Sequence, residues 1–495
     1  MALDPRTPVI IGTGQFVNRT KSFDEAIEPV EMMVKAIEAA AANASLKSVP
    51  KADAINVVSL LSWKYVNPAW FVAQLLKQEP PHLGYSGTGG NTPQTLVNAA
   101  AREILANQFD VVILTGAEAS RSRSKARAAG ITPDWRKPTD ATPQPVQVTE
   151  ELDMVSPYEV SRGITMPVQI YPLFETALRA ANNRTPEQQM QISSELWSRF
   201  SEVAERNPFA WSQQALSPEE VRTAGPQNRM IGLPYPKYMN SNNDVDMAAA
   251  VIMCSLEKAE LLGVPKDHMI FVHSGTDCHE HKFVSNRWSF DRTPAVEIGG
   301  KLALDLAHSN IDDIAFIDLY SCFPVAVQLG AQSLGLKLDR DLTLTGGLPF
   351  AGGPWNNYVM HAISTMTNVL REHPDERGLI WANGGFTTKH AFGVYAAKPS
   401  RDVFKYADPQ DEIDKLPMRE VAHEREAGGE AIVEAYTVMH DRTGSPEFAL
   451  ASCLLPNGKR AWGTSTDTFI TKAMCEGEWV GRMARLAADG TISFI

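Results

Sequence analysis

Two parts of the sequence combine predicted strands and helices in a similar pattern, and this repetition limits the possible folds more than any other feature. In the first part, apolar spacing predicts a strand, two helices and a buried strand, at residues 8–14, 25–44, 91–108 and 109–120. The second part predicts a strand, a helix and two strands, at residues 268–275, 294–308, 312–322 and 377–386. Both parts end in an apolar strand that runs into a turn of small residues, TGAE and ANGG. The pattern predicts a duplicated α/β unit with helices on both faces of a largely parallel sheet.

The 495 residues exceed what one hydrophobic core normally contains, since a domain averages roughly 150 residues. We predict a first half at 1–120, completed by 239–265, and a second half at 266–404. Residues 121–238 are richer in Pro, Arg and aromatic residues, which indicates a helical insertion. After the charged linker KYADPQDEIDKLP, short strands and Gly or Asn turns in 405–495 predict a small OB-like antiparallel β-barrel.

The charge and cysteine content exclude several classes of protein. A net charge of −12 and the lack of a strong basic tract argue against nucleic acid or an anionic membrane as partner. No apolar run reaches the roughly 18 residues that a membrane-spanning helix needs, and the N-terminus lacks the features of a signal peptide. Five scattered cysteines indicate reduced thiols. We therefore expect a cytoplasmic protein.

Five segments carry a resemblance to a known family, and they occur in the family's order. They are the Gly-rich turn, Ala-rich helix and strand from Gly89 to Ser120, then NSNNDVDMAAAVIMCSLEKAELLG, DLYSCFPVAV, GGLPFAGGPWNN and WANGGF. They resemble the nucleophile loop, the Asp-Gly-Ala-Ala segment, the NEAF or HDCF loop, the GGAIALGHPxGATG loop and the CxGGG loop of thiolases. The resemblance implies a duplicated α/β thiolase fold, layered α-β-α-β-α, with a helical loop-domain insertion. It also implies acyl-CoA as the ligand class.

The C-terminal tail narrows the resemblance within the superfamily. Thiolase-like proteins of type 1, which are related to the sterol-carrier-protein thiolases, append a small barrel domain after the thiolase fold. This chain is similar to them in carrying a predicted barrel over 405–495.

Three positions depart from the family's catalytic pattern. Gly90, Gly353 and Ala382 stand where the resemblance places the nucleophilic Cys, the activating His and the second Cys. No cysteine occurs between residues 1 and 253, so a small alignment error cannot restore the nucleophile. Because nucleophile and base act as a unit, the sequence argues against ordinary thiolase (acetyl-CoA acetyltransferase) catalysis, the acyltransferase activity that the family implies.

Four side chains are candidates for an altered chemistry. Tyr320 and Ser321 replace the Asn-Glu pair of the NEAF-like loop, and Cys322 stands at its Ala. Cys322 is either a nucleophile or a buried inert thiol. His390, which we place about two helical turns past the CxGGG-like loop, is either a displaced general base or a packed residue. His361 on the preceding helix presents the same alternatives.

The ligand-binding candidates are mainly glycines. Gly89, Gly90, Gly384 and Gly385 are predicted to let backbone N–H groups approach the ligand closely. Asn356, with its neighbour Asn357, either donates to a thioester oxygen or caps the helix that follows.

One cluster, Asp277-Cys278-His279-Glu280-His281, contains residue types that bind zinc. No second Cys or His pair with matching spacing lies nearby, so we predict no metal site. The only cofactor that the resemblance implies is coenzyme A as part of the substrate.

Two functions remain open at this point. One is an acyl-CoA enzyme of lipid metabolism with altered chemistry, such as a retro-aldolase on 3-hydroxyacyl-CoA, by analogy with thiolase-fold aldolases that lack the usual cysteine. The other is a non-catalytic acyl-CoA or lipid-binding protein, or a partner subunit. Catalytic thiolases form dimers through their core domains, and the appended barrel leaves monomer and homodimer both open.

Overall fold

The computed structural model describes residues 3–19, 21–422 and 426–494. The first half of the core contains β1 (Pro8–Val17), α1 (Pro29–Asn43), β2 (Ala54–Val57), α2 (Pro68–Leu75), β3 (His82–Tyr85), α3 (Thr92–Leu105), β4 (Val111–Ala119) and α4 (Ser120–Ala128). All four elements predicted for this half are present. The short β2 and β3 were not predicted, because four residues carry little periodic signal.

The insertion is mainly helical. It contains β5 (Val146–Gln147), α5 (Pro157–Ser161), α6 (Pro167–Ala181), α7 (Pro186–Arg206), α8 (Pro218–Arg222), β6 (Met230–Gly232) and β7 (Tyr235–Pro236). Three of its helices begin with the same local signal, a hydroxyl residue at the N-cap, Pro next, and Glu or Gln two residues later. The side chains of the N-caps Ser156, Thr185 and Ser217 each accept a backbone N–H, and their own backbone N–H groups donate in return to the Glu or Gln side chain. This capping box fixes where each helix starts.

After the insertion the chain returns to the first half with β8 (Asp246–Ser255) and α9 (Leu256–Leu261). The second half then contains β9 (Ile270–His279), α10 (Pro294–Leu306), β10 (Phe316–Leu319), α11 (Pro324–Ser333), α12 (Gly347–Phe350), α13 (Tyr358–Glu372), β11 (Arg377–Gly384) and β12 (Lys389–Ala396). Strand β8 pairs with β1 and β4, so it completes the sheet of the first half.

The strands of the core are mixed in direction, which corrects the prediction of a largely parallel sheet. The order is β10-β11-β12-β9-β1-β8-β4-β2-β3-β5, and only two residue pairs between β1 and β9 join the halves. Parallel pairing is found in β2–β3, β2–β4, β3–β5 and β10–β11, whereas β8, β9 and β12 pair antiparallel with their neighbours in this order. β12 follows β11 after only four residues, a connection that forces an antiparallel return.

The layers are α-β-α-β-α. Helices α3 and α13 contact strands of both halves and each other, so they form the middle layer. Helix α1 covers the outer face of β1, β4 and β8, and α10 covers β9 and β12. Strand β4 is buried on both faces: Val111 and Ile113 belong to one hydrophobic cluster, Val112 and Leu114 to the other. Among the described residues, none of the helices is both long enough and apolar enough to cross a bilayer.

The C-terminal region contains β13 (Lys405–Ala407), α14 (Gln410–Ile413), β14 (Gly429–His440), β15 (Pro446–Leu454), β16 (Arg460–Ser465), α15 (Thr468–Glu476), β17 (Met483–Leu486) and β18 (Ile492–Phe494). Part of the predicted linker is not a linker, because β13 adds a parallel edge strand to β9 of the core. The remaining strands form an antiparallel sheet in the order β16-β15-β14-β17-β18. Its edges meet at a single bridge between Thr464 and Thr491, so no continuous ladder closes the predicted barrel.

The C-terminal sheet packs against the insertion. Thr176 of α6 exchanges two hydrogen bonds with the backbone of Tyr436 in β14, each 3.1 Å long. Strand β6 of the insertion also pairs with β14. The C-terminal sheet therefore supports α6, the helix that reaches the main cavity of the core.

Candidate functional site

The five family-like segments converge on one cavity of about 350 Å³, called the central cavity here. The loops before α3, after β10, before α13 and after β11 supply its walls, together with the residues before β8 and the start of α6. Its lining consists of Leu61, Thr88, Gly89, Gly90, Met154, Thr165, Met166, Pro167, Val168, Tyr171, Asn240, Ser241, Asn243, Tyr320, Cys322, Phe323, Leu348, Trp355, Asn356, Gly384, Gly385 and Phe386. Seven of the thirteen catalytic and ligand-binding positions named from the sequence are among them.

Tyr320 occupies the space that a side chain at position 90 would need. A Cβ added to Gly90 would lie 2.5 Å from the Tyr320 hydroxyl oxygen and 2.5 Å from the backbone oxygen of Asn383. Real Cβ atoms do not approach that closely, so a cysteine side chain at position 90 would collide with the Tyr320 phenol.

The two glycine pairs face each other across the cavity wall. A Cβ on Gly384 would lie 3.1 Å from the Cα of Gly89 and 3.0 Å from the backbone nitrogen of Gly90. Gly385 has a φ of +67°, in the left-handed region that favours glycine. Close packing of two loops therefore accounts for Gly384, and backbone conformation for Gly385.

Burial keeps the titratable groups of the cavity neutral. Burial raises the pKa of Tyr320 and of Tyr171 well above the ordinary value for tyrosine. It also raises the pKa of the Cys322 thiol to about 12, so this thiol is protonated at neutral pH. None of the described residues forms a hydrogen bond with the Tyr320 hydroxyl. The cavity thus offers hydrogen-bond donors rather than bases.

Tyr171 of α6 is a site residue that sequence reasoning missed. Its hydroxyl accepts hydrogen bonds from Asn383 Nδ2 and from the backbone N–H of Thr387, both at 3.1 Å, and donates to the Gly385 carbonyl at 3.3 Å. Its ring stacks on Phe323 with centroids 4.5 Å apart. Tyr171 therefore holds the loop after β11 against the loop after β10. No family motif covers the insertion, so only its apolar helical pattern was visible in the sequence.

The two asparagines before α13 do not cap it, which corrects the capping alternative. Asn357 is the N-cap residue of α13 but its side chain makes no cap bond; its Nδ2 donates to the Gly116 carbonyl instead. Asn356 accepts from the backbone N–H of Gly89 at 3.1 Å and donates to the Ser59 carbonyl at 2.8 Å. Asn356 thus positions the Gly89 loop from within the cavity wall.

Ser321 lies behind the cavity, in a buried polar network. Its Oγ is 3.3 Å from the Tyr358 hydroxyl, which also contacts Thr345. Thr345 in turn binds the carboxylate of Asp318, whose pKa burial raises to about 6. The Tyr358 ring packs edge-on against Tyr320, with centroids 5.7 Å apart. Ser321 is therefore linked to the Asp318 carboxylate through Tyr358 and Thr345, and neither Ser321 nor Asp318 lines the central cavity.

His390 lies in strand β12, not on a helix as predicted from the sequence, and it does not line the central cavity. Its Nδ1 accepts from the Trp381 indole at 3.3 Å, and burial lowers its pKa well below the ordinary value for histidine. It faces a polar pocket of about 150 Å³ on the other side of the Gly89 loop, next to Lys389. His361, on α13 as predicted, is buried against Gln15, and burial lowers its pKa to about 3.

Gly353 and Ala382, the other two positions that the resemblance aligns with catalytic residues, carry no functional group. Gly353 donates its N–H to the Asn242 carbonyl at 2.9 Å, and Ala382 is fully buried in β11. The Asp277–His281 segment ends β9 and lies outside the central cavity. Within the described ranges, no group of three or more His, Cys, Asp or Glu side chains is placed to hold a metal ion.

Comparisons with known proteins agree with this geometry. Residues 408–491 match the family described as the thiolase-like protein type 1 additional C-terminal domain. A monomeric SCP2-thiolase like protein type 1 from Mycobacterium smegmatis has a similar structure over 100% of both chains, with a TM-score of 0.85 and 29% identity. No curated protein sequence matches the chain.

Two further structures share the fold at lower identity. The Ltp2-ChsH2(DUF35) aldolase has a TM-score of 0.58 and 16% identity, over 80% of this chain and 98% of that one. The dimeric peroxisomal thiolase of Saccharomyces cerevisiae has a TM-score of 0.55 and 14% identity, over 80% and 99%. The chain thus has a thiolase-like fold and resembles thiolase-like protein type 1 over its whole length.

Proposed function

We propose that the chain binds acyl-CoA thioesters in the central cavity and does not catalyse thiolase acyl transfer. One observation carries this proposal: the Tyr320 hydroxyl fills the space of the nucleophile side chain at Gly90. A thiolase must form a bond between a thiolate and the acyl carbon, but Gly90 has no side chain, and burial raises the pKa of the cavity thiol of Cys322 to about 12, so that thiol is protonated at neutral pH.

The cavity has the chemistry of an acyl and pantetheine site. Met154, Met166, Val168, Leu348 and Phe386 give it apolar walls that suit a hydrocarbon chain. At one edge, Oδ1 of Asn240 and of Asn243 lacks any hydrogen-bond partner within the described part of the chain. An unsatisfied buried acceptor costs about 1–3 kcal/mol, and the amide N–H groups of a pantetheine arm would relieve that cost.

The absence of a base favours binding over turnover. Among the described residues that line the cavity, only Tyr171, Tyr320 and Cys322 titrate, and burial raises the pKa of all three. A group that holds its proton at neutral pH cannot accept one from substrate. General-base catalysis therefore lacks its acceptor.

A second candidate is retro-aldol cleavage of a 3-hydroxyacyl-CoA, and the unpaired Tyr320 hydroxyl favours it. In that reaction a base takes the 3-hydroxyl proton, the C2–C3 bond breaks, and its electron pair forms the thioester enolate, which is then protonated at C2. Tyr320 could donate a hydrogen bond to the enolate oxygen. The structure similar to this chain at 16% identity is described as an aldolase, a likeness that shows the fold alone.

Turnover and binding are tested together. The purified protein is incubated with 3-ketoacyl-CoA esters plus free CoA, and separately with 3-hydroxyacyl-CoA esters, and products are followed by mass spectrometry. Calorimetry measures binding of the same esters. We expect saturable binding and intact ligand. Cleavage of a 3-hydroxyacyl-CoA that Tyr320→Phe abolishes would replace the proposal by the retro-aldolase.

The related structure described as monomeric also supports a proposal on assembly. We expect a monomer with the C-terminal sheet covering part of the core, and light scattering distinguishes it from a homodimer.

A further inference from the structure

A second groove adjoins the central cavity and has opposite chemistry. This α4 groove, of about 530 Å³, runs between α4 and the segment after β2. Leu61 and Trp355 line both spaces, so a ligand that leaves the central cavity past these two side chains enters the α4 groove.

The α4 groove is cationic in an acidic protein. The segment RSRSKAR at 121–127 contains four basic residues and no acidic one, although the chain carries a net charge of −12. Arg121 pairs with Asp244, and Lys125 has a partner of its own. Arg123 and Arg127, one helical turn apart on the exposed face of α4, line the groove and form no ion pair within the described part of the chain. They present two exposed guanidinium groups to the groove.

Aromatic and hydroxyl groups surround these arginines. The Trp63 indole lines the groove and is held in place, since its Nε1 donates to the Arg136 carbonyl at 2.8 Å and its ring packs edge-on against Trp135. Trp355 offers a second indole, and Ser120 and Ser124 add hydroxyl groups. Guanidinium forks bind phosphate, and indole faces stack on nucleobases.

We propose that the α4 groove binds the phosphate-bearing nucleotide end of the CoA thioester whose acyl end lies in the central cavity. The inference rests on the proposed function. Arg123 and Arg127 bind phosphate oxygens, and Trp63 stacks on the adenine. This placement gives the ligand one continuous path, apolar at the thioester and cationic at the phosphates.

The test compares a full CoA ester with a ligand that lacks the nucleotide. Calorimetry measures Kd for butyryl-CoA and for S-butyryl-pantetheine with the wild type, with Arg123→Glu/Arg127→Glu, and with the control Arg442→Glu/Lys472→Glu. The control changes the net charge by the same amount at two exposed positions of the C-terminal sheet and α15. We expect the α4 variant to weaken butyryl-CoA binding roughly 10- to 100-fold and to leave S-butyryl-pantetheine unchanged. The control variant should bind both ligands with the Kd values of the wild type.

The outcomes separate this inference from the function on which it rests. If the wild type binds neither ligand, both proposals fail. If the wild type binds butyryl-CoA and the α4 variant binds it equally well, the α4 groove is not the nucleotide site and the proposed function stands. Raising the salt concentration gives an independent check, because it should weaken butyryl-CoA binding to the wild type more than to the α4 variant.

Discussion

The central cavity and the α4 groove share two wall residues and differ in almost every other respect. The cavity is assembled from loops that lie more than 200 residues apart in the chain, and its titratable groups are neutral and buried. The groove is built around a single helix and presents unpaired exposed arginines. The difference fits the proposal that the cavity binds the thioester end of the ligand and the groove binds its nucleotide end.

A cysteine at position 90 should destabilise the protein and should not produce thiolase activity. In Gly90→Cys, the new Cβ meets the Tyr320 hydroxyl and the backbone oxygen of Asn383 at 2.5 Å. We expect a loss of about 3 kcal/mol in the free energy of unfolding, measured by urea denaturation, and no thiolase activity. Gly225→Cys is the control, because a Cβ there meets no atom within 4 Å. Equal stability of the two variants would show that Tyr320 does not fill the nucleophile's place.

Glu118 lies beneath the segment that separates the two spaces, and its ionisation should make stability depend on pH. Its carboxylate accepts the backbone N–H groups of Leu61 and Ser62 at 2.7 Å, and burial raises its pKa from 4.5 to about 7. Between these values the folded state holds a proton that the unfolded chain has released, so stability falls as pH rises from 4.5 to 7.

Glu118→Gln has no such proton to lose. We expect the variant to match the wild type near pH 4.5 and to exceed it at pH 8 by at most about 3 kcal/mol, from urea midpoints. The exposed Glu38→Gln should follow the wild type at both pH values. If the wild type were more stable than Glu118→Gln at pH 8, the hydrogen bonds from the two backbone N–H groups to the Glu118 carboxylate would outweigh the cost of burying its charge.

A charge in the cavity should weaken binding of the acyl group alone. Met166 lines the cavity and is 48% exposed, and as the N-cap of α6 it tolerates Asp well. We expect Met166→Asp to raise the Kd of an acyl-CoA ester roughly tenfold and to leave the Kd of free CoA unchanged. Met418→Asp, at a position 56% exposed and outside the cavity, is the control. If Met166→Asp raised the Kd of free CoA by the same factor, the nucleotide rather than the acyl chain would lie at Met166.

Removing the Tyr320 hydroxyl should have the smallest effect. Tyr320→Phe loses at most one hydrogen bond to the thioester, so we expect the free energy of acyl-CoA binding to change by about 1 kcal/mol or less. The measurement is calorimetry with one ester. A loss of several kcal/mol would give the hydroxyl a larger role than the account assigns to it.

The order of strands and helices predicted the duplicated α/β unit, because these elements leave periodic signals, and the resemblance to thiolases implied the α-β-α-β-α layers and identified the five segments that meet at the central cavity. It did not predict the strand that carries His390, since eight residues after a four-residue turn resemble a short helix as much as a hairpin. Tyr171 was missed because its role depends on contacts with residues more than 200 positions away. The basic segment at 121–127 was not singled out from the sequence, because its significance depends on Arg123 and Arg127 forming no ion pair in the described part of the folded chain and on their position in the groove. The Asn356 contacts could not be foreseen because both partners are backbone atoms of other loops.

The most direct test of the account is a calorimetric titration of the wild type with butyryl-CoA, followed by mass spectrometry of the recovered protein and ligand. The account predicts saturable binding of one ester per chain, an unmodified protein mass and an intact ester. An acylated protein would contradict this prediction, because acylation requires a thiolate, whereas Gly90 has no side chain and the Cys322 thiol is protonated at neutral pH. Released CoA would contradict it as well, because it would show that the bound ester is cleaved.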